Sequence, residues 1–220
     1  MSKTLKFQWF IWSVTTFVIT IGSILYMVSS KPTCFPLTLK NGTNVNVTLY
    51  RLHPHHLRLF LEFKQDIKNK RPELGDYSYS KDKDTLLFSN PGEPIKINVL
   101  ISGAKEKIML EAFPESAYSE TKATREMIPY VERQDPHRFN SPNYTRLYLP
   151  KGISHIHFEV VEVGKNLMNE NVLACIHAPV TFKGIAAGYE SLATFTFWPI
   201  YIILLIIIGF ILLLYSLKKP

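Results

Sequence analysis

The chain has 220 residues, 46% of them apolar, with 25 Lys and Arg against 18 Asp and Glu and only two cysteines. Its net charge of +7 sits largely at the tips, where Lys3, Lys6, Lys218 and Lys219 leave a middle of 21 basic and 18 acidic residues. That near balance excludes the concentrated basic surface of a nucleic-acid binder. The sequence shows no long repeat or low-complexity tract, which excludes a solenoid or array.

Residues 1–6 form a short tail carrying Lys3 and Lys6. Residues 7–29 follow as an apolar run with no charged side chain from Phe7 to Val28. About 20 such residues cross the roughly 30 Å hydrocarbon layer as a helix. A cleaved signal peptide competes with this reading, because "MVSSK" offers small residues for cleavage. Signal cores span only about 7 to 15 residues, however, so the length favours an uncleaved signal anchor. Ser13, Thr16, Thr20 and Ser23 recur at steps of three, four and three, which places all four on one helix face. Such a face lets helices approach and hydrogen-bond in lipid. The same side chains can instead bond back to their own backbone, and both readings stay open.

Residues 30–194 alternate apolar and polar side chains at period two, the signature of half-buried strands. In "CFPLTLKNGTNVNVTLY" two such stretches flank Asn41-Gly42, a strong signal for a tight hairpin. "HLRLFLEFK", "TLLFS", "IKINVLIS", "KEKIMLEAF", "TRLYLP", "ISHIHFEVVEV" and "NVLACIHAPVTFK" complete about nine candidates. Two segments break the pattern. "QDIKNKRPELGDYSYSKDKD" reads as an exposed charged loop. "PESAYSETKATREMIPYVERQDPHRFNSPN" lacks alternation over about 30 residues; "SETKATREMI" suits a short helix, and if the domain has a binding loop, this is its expected place. Many short strands with turn signals predict a mainly β fold, an antiparallel immunoglobulin-like β-sandwich.

Residues 195–217 form the second uncharged run. Trp198, Tyr201 and Tyr215 stand near its ends, where amphipathic rings favour the headgroup region. Residues 218–220 close the chain with Lys218 and Lys219. Lysines outside both runs predict that both termini are cytoplasmic, although Lys31, Lys40 and Lys183 weaken the bias. The middle is then extracytoplasmic: periplasmic in a bacterium, luminal or outside the cell in a eukaryote.

That compartment favours a disulfide between Cys34 and Cys175 over two free thiols. In "SHIHFEVVEV", Ile156, Phe158 and Val160 share one strand face while His155, His157 and Glu159 share the other. His-x-His on a strand suits zinc or copper. His53, His55 and His56 in "HPHH", and His177 beside Cys175, would add ligands if the strands were neighbours; an exposed polar face is the plainer alternative. Sequons at Asn41, Asn46 and Asn143 would accept glycans in a eukaryotic secretory protein and mean nothing in a bacterium.

No nucleophile elbow, phosphate loop, dinucleotide fingerprint, CxxC or HExxH occurs. The expectation is a non-enzymatic accessory or assembly subunit of a membrane complex. Its partners would be lipid and other integral membrane proteins, with no cofactor, nucleic acid or small-molecule substrate evident. The alternative is a copper- or zinc-binding or delivery protein using the histidine face.

Overall fold

The computed structural model describes residues 3–65, 71–78, 85–103, 106–115, 121–133, 135–140, 147–181, 184–185 and 188–218. The chain divides into two compact units: Pro32–His177, and Met1–Lys31 together with Ala178–Pro220.

The first unit is built from strands: β1 (Thr33–Thr38), β2 (Asn44–Arg51), β3 (His55–His56), β4 (Leu59–Lys64), β5 (Asp76–Ser78), β6 (Thr85–Asn90), β7 (Ile95–Ile101), β8 (Ile108–Pro114), β9 (Lys122–Pro129), β10 (Arg138–Asn140), β11 (Tyr148–Leu149), β12 (Gly152–Val163) and β13 (Asn171–Ile176). Eight of them form one antiparallel sheet in the order β1-β13-β4-β9-β8-β7-β12-β2. Its two edge strands are therefore consecutive in the chain, linked only by residues 39–43. Laid flat at about 4.8 Å per strand, eight strands would hold their edges about 34 Å apart. The link can reach only about 20 Å. The sheet must curl until its edges approach, and the result is a near-barrel, not the two facing sheets of an immunoglobulin-like sandwich. Period-two patterning is the same in both, which is why it could not distinguish them.

The Asn41-Gly42 turn forms where expected. Gly42 has φ +85°, and the Thr43 N–H donates to the Lys40 carbonyl at 2.9 Å. The hairpin does not form: β1 pairs with β13, and β2 pairs with β12. The turn instead binds across to β12, with the Gly42 N–H on the Val160 carbonyl at 2.8 Å. Pro36 fits β1 because an edge strand tolerates a residue that cannot donate to a ladder.

Alternation fills the interior. On β7, Ile95, Ile97, Val99 and Ile101 point inward and all are buried; β12 contributes Ile156, Phe158 and Val160. Each such side chain stabilises the fold by about 1.5–3 kcal/mol. One end of the barrel is stoppered by Leu74 and Leu167, which come from short 3-10 turns at Pro72–Leu74 and Lys165–Leu167. The segment read as an exposed charged loop thus supplies a core residue. A bidentate pair holds this end shut: Arg71 donates to both carboxylate oxygens of Glu170 at 2.8 and 2.7 Å. Gly75 and Gly92 back onto each other, and a Cβ on either would lie 2.7 or 2.8 Å from the other's nitrogen.

The helix expected at "SETKATREMI" is instead strand β9, which lies between β4 and β8 in the sheet; residues 116–120 lie outside the described residues. Ala123, Arg125 and Met127 share its inner face. Arg125 is 1% exposed and donates to the carbonyls of Glu93 at 2.7 Å, Pro91 at 3.2 Å and Ala112. A charged residue at a core position is what hid the alternation. The outer faces of β8 and β9 are covered as well. There Phe113 and Ile128 pack with Phe88 and Phe139 of the small sheet β10-β6-β5. Arg133 lies 4.4 Å over the Phe113 ring and pairs with Glu111 at 2.7 Å.

The second unit holds α1 (Lys3–Ser29), the ribbon β14 (Val180–Thr181) and β15 (Gly184–Ile185), α2 (Glu190–Ala193) and α3 (Trp198–Lys218). A 3-10 turn at Thr194–Phe197 leads into α3, and Pro199 sits in that helix's first turn, where no intrahelical donor is lost. Both α1 and the Glu190–Leu217 stretch are long and apolar enough to cross a membrane.

Candidate functional site

The helices pack through a seam with alternating four- and three-residue steps. On α1, Leu5, Trp9, Trp12, Thr16, Ile19, Ser23 and Tyr26 recur at those steps among the buried or half-buried positions, and Gly22 and Ser29 are buried beside them. That 3.5-residue repeat is the geometry of a two-helix supercoil. The contacts run antiparallel. Trp9 Nε1 donates to Ser216 Oγ at 3.2 Å, and Trp12 Nε1 to the Leu205 carbonyl at 3.0 Å. Nearer the other end, Gly22 makes room for the Phe195 ring. The outer ends of α1 and α3, which carry Lys3, Lys6 and Lys218 in the sequence, therefore lie on the same side of the pair.

The four hydroxyl residues of α1 do not act together. Thr16 and Ser23 lie in the seam, while Ser13 and Thr20 are exposed beside it. Thr16 Oγ1 bonds back to the Trp12 carbonyl at 2.8 Å. What closes the pair is the two tryptophans and Gly209, where a Cβ would sit 3.0 Å from Trp12. An indole facing a glycine one helix away is visible only once the pairing is known.

In the strand unit the two cysteines are joined, Cys34 to Cys175, across directly opposed positions of β1 and β13. The bridge spans 141 residues of sequence. It ties an edge strand of the near-barrel to its neighbour.

His155, His157 and Glu159 project from the outer face of β12 as the alternation predicts. Register with β2 sets His155 opposite Thr48 and His157 opposite Asn46. Both imidazoles are anchored there: His155 Nδ1 lies 2.9 Å from Thr48 Oγ1, and His157 Nδ1 lies 2.8 Å from Asn46 Oδ1. The two rings line a groove of about 320 Å³ with Ser102 and Leu100. Glu159 turns elsewhere, accepting from Lys107 Nζ at 2.9 Å and Asn98 Nδ2 at 3.3 Å. These two donors pull its pKa below the usual carboxylate value.

The other histidines are engaged differently. His55 and His56 belong to β3, which pairs with β11 in a separate two-stranded ribbon. His55 is buried, and burial followed by the charge of Arg51 lowers its pKa to about 4. His56 meets Tyr148 edge-on at 4.8 Å, and His177 stacks on Phe60 at 3.9 Å. The "HPHH" and "SHIH" clusters are not brought together, and no three His, Cys, Asp or Glu among the described residues form a metal cluster. A larger recess of about 410 Å³ lies between Leu57, Leu86, Met127 and Leu147, with the Arg58–Glu126 pair on its wall. Asn41 and Asn46 are exposed; Asn143 lies outside the described residues.

The sequence matches no protein-family profile and no curated protein. Among solved structures it is similar to a crystal structure from Sulfurospirillum deleyianum, 15% identical, covering 67% of this chain and 97% of that one at a TM-score of 0.44.

Proposed function

We propose that the chain is a non-catalytic accessory or assembly subunit of a membrane complex. Two spans with cytoplasmic tips hold the near-barrel on the extracytoplasmic side, where it engages other subunits. The observation that carries this reading is the antiparallel pairing of α1 with α3. It supports a helical hairpin with both chain ends on one side, as the flanking lysines suggest. The pair's remaining faces are strongly apolar: Phe17 is 67% and Ile206 64% exposed. Apolar surface on that scale marks a lipid or protein contact. Ser13 and Thr20, left outside the seam, offer small polar positions for a partner helix. The disulfide agrees with an oxidising compartment.

Extraction in mild detergent, followed by mass spectrometry of co-purifying chains, tests the role. Stoichiometric integral membrane partners that are lost from a Ser13→Leu/Thr20→Leu variant are expected. A lone monomer would overturn the role. Protease protection of residues 35–190 in sealed vesicles tests the topology separately.

A further inference from the structure

Of the seven histidines in the chain, His155 and His157 are the two whose rings are both held by a neighbouring strand and turned onto one groove. We propose that His155 and His157 form a two-imidazole site for a late first-row transition-metal ion, Cu2+ before Zn2+, with Asn46 and Thr48 fixing the ring orientations. The inference does not depend on the role in a membrane complex.

The argument starts from the tautomer. Asn46 Oδ1 accepts, so His157 Nδ1 carries the proton and Nε2 keeps its lone pair for a ligand. Thr48 Oγ1 can accept from His155 Nδ1 in the same way. Histidine metal ligands characteristically donate their second ring N–H to such an acceptor, which fixes the ring and raises its basicity. Here both acceptors come from β2, at alternate positions opposite alternate positions of β12.

Spacing comes next. Residues two apart on a strand are separated by about 6.6 Å along the backbone. Metal–imidazole bonds of about 2.0 Å require the two Nε2 atoms to lie within about 4 Å of each other. Each ring must therefore lean toward the other by a little over 1 Å, which side-chain torsions absorb. Glu159 is left out of the ligand set because Lys107 and Asn98 already hold it. With two protein ligands the remaining positions fall to water, so the ion is exchangeable. Imidazole donors and the Irving–Williams order put Cu2+ ahead of Zn2+.

The test is a competition titration of the untagged full chain in detergent with Cu2+, and separately with Zn2+, against a chromophoric chelator. One ion per chain is expected, Cu2+ tighter than Zn2+. His155→Ala and His157→Ala should each weaken binding at least tenfold, and Asn46→Leu by about tenfold, the scale of an orienting partner. Electron paramagnetic resonance of the Cu2+ form should show coupling to two imidazole nitrogens. Thermal melting of each variant checks that the fold is intact. Glu159→Gln should leave affinity unchanged; a tenfold loss would overturn the two-imidazole assignment. The proposal also fails if the His155→Ala/His157→Ala double variant keeps the stoichiometry and affinity of the parent.

Discussion

Trp12 donates its indole N–H to the Leu205 carbonyl across 3.0 Å, and Gly209 is the residue that permits it. A carbonyl in a helix is shielded by the side chain four residues on. With glycine at that position, Leu205 exposes its oxygen to a second donor. Gly209→Leu should part the helices, since the new Cβ alone would lie 3.0 Å from the indole. Trp12→Phe keeps the ring and loses the bond, worth about 0.6–2 kcal/mol within a membrane. Tryptophan emission and thermal melting in detergent should rank the three chains as parent, then Trp12→Phe, then Gly209→Leu. A Gly209→Leu variant that melts with the parent would show that the seam lies elsewhere.

The disulfide is expected to matter for a different reason. It closes 141 residues between an edge strand and its neighbour. Constraining so long a loop in the unfolded chain stabilises by up to about 5 kcal/mol in the chain-entropy model. Cys34→Ser/Cys175→Ala, or the parent held in reductant, should show a markedly lower urea midpoint for the strand unit. Equal midpoints for reduced and oxidised chains would remove the bridge from the stability account.

How far the sequence was legible depends on how local each feature is. β7 could be read outright, because its alternation reports one buried face and nothing else. The Asn41-Gly42 turn was equally plain, yet the hairpin it implied is absent, since strand order is set by partners more than a hundred residues away. β9 reads as a short helix because Arg125 occupies an inward position and breaks the alternation. β8 kept only a blurred pattern because both of its faces are covered. The site divides in the same way. Period two placed His155 and His157 together on one face, but Asn46 and Thr48 emerged only from the β2–β12 register. The Ser13/Thr20 and Thr16/Ser23 split likewise needed the second helix.

Arg125 should be costly to replace. Its guanidinium donates to three backbone carbonyls, those of Pro91, Glu93 and Ala112. Burial lowers its pKa to about 10, which still leaves it charged near neutrality. Arg125→Met keeps an apolar stem of similar length but leaves the buried Ala112 acceptor and the part-buried Pro91 and Glu93 acceptors without this donor, at about 1–3 kcal/mol for each that water cannot reach. Denaturant unfolding should show a loss of several kcal/mol. Lys would recover part of the loss, because it offers donors without the planar fork. A Met variant as stable as the parent would mean that the Pro91–Glu93 loop simply opens to water.

His55 gives the strand unit a pH dependence whose sign follows from its burial. Folded, its pKa is about 4 against an ordinary value of 6.5, because burial and then the nearby Arg51 charge disfavour the imidazolium. Between those two values the unfolded chain binds a proton that the folded chain does not. Stability is therefore full above pH 6.5 and falls as the pH drops toward 4, by up to about 3 kcal/mol in all. Glu111 and Glu115 work in the opposite direction: burial raises both above the ordinary carboxylate value, so the folded chain takes up protons first as the medium acidifies. The useful quantity is thus the difference between the parent and a His55→Phe variant, measured by denaturant unfolding at pH 7, 6, 5 and 4.5. Parent stability should decline relative to the variant across that series, with most of the change below pH 6.5. Parallel curves would show that His55 takes up its proton without disturbing the ribbon formed by β3 and β11.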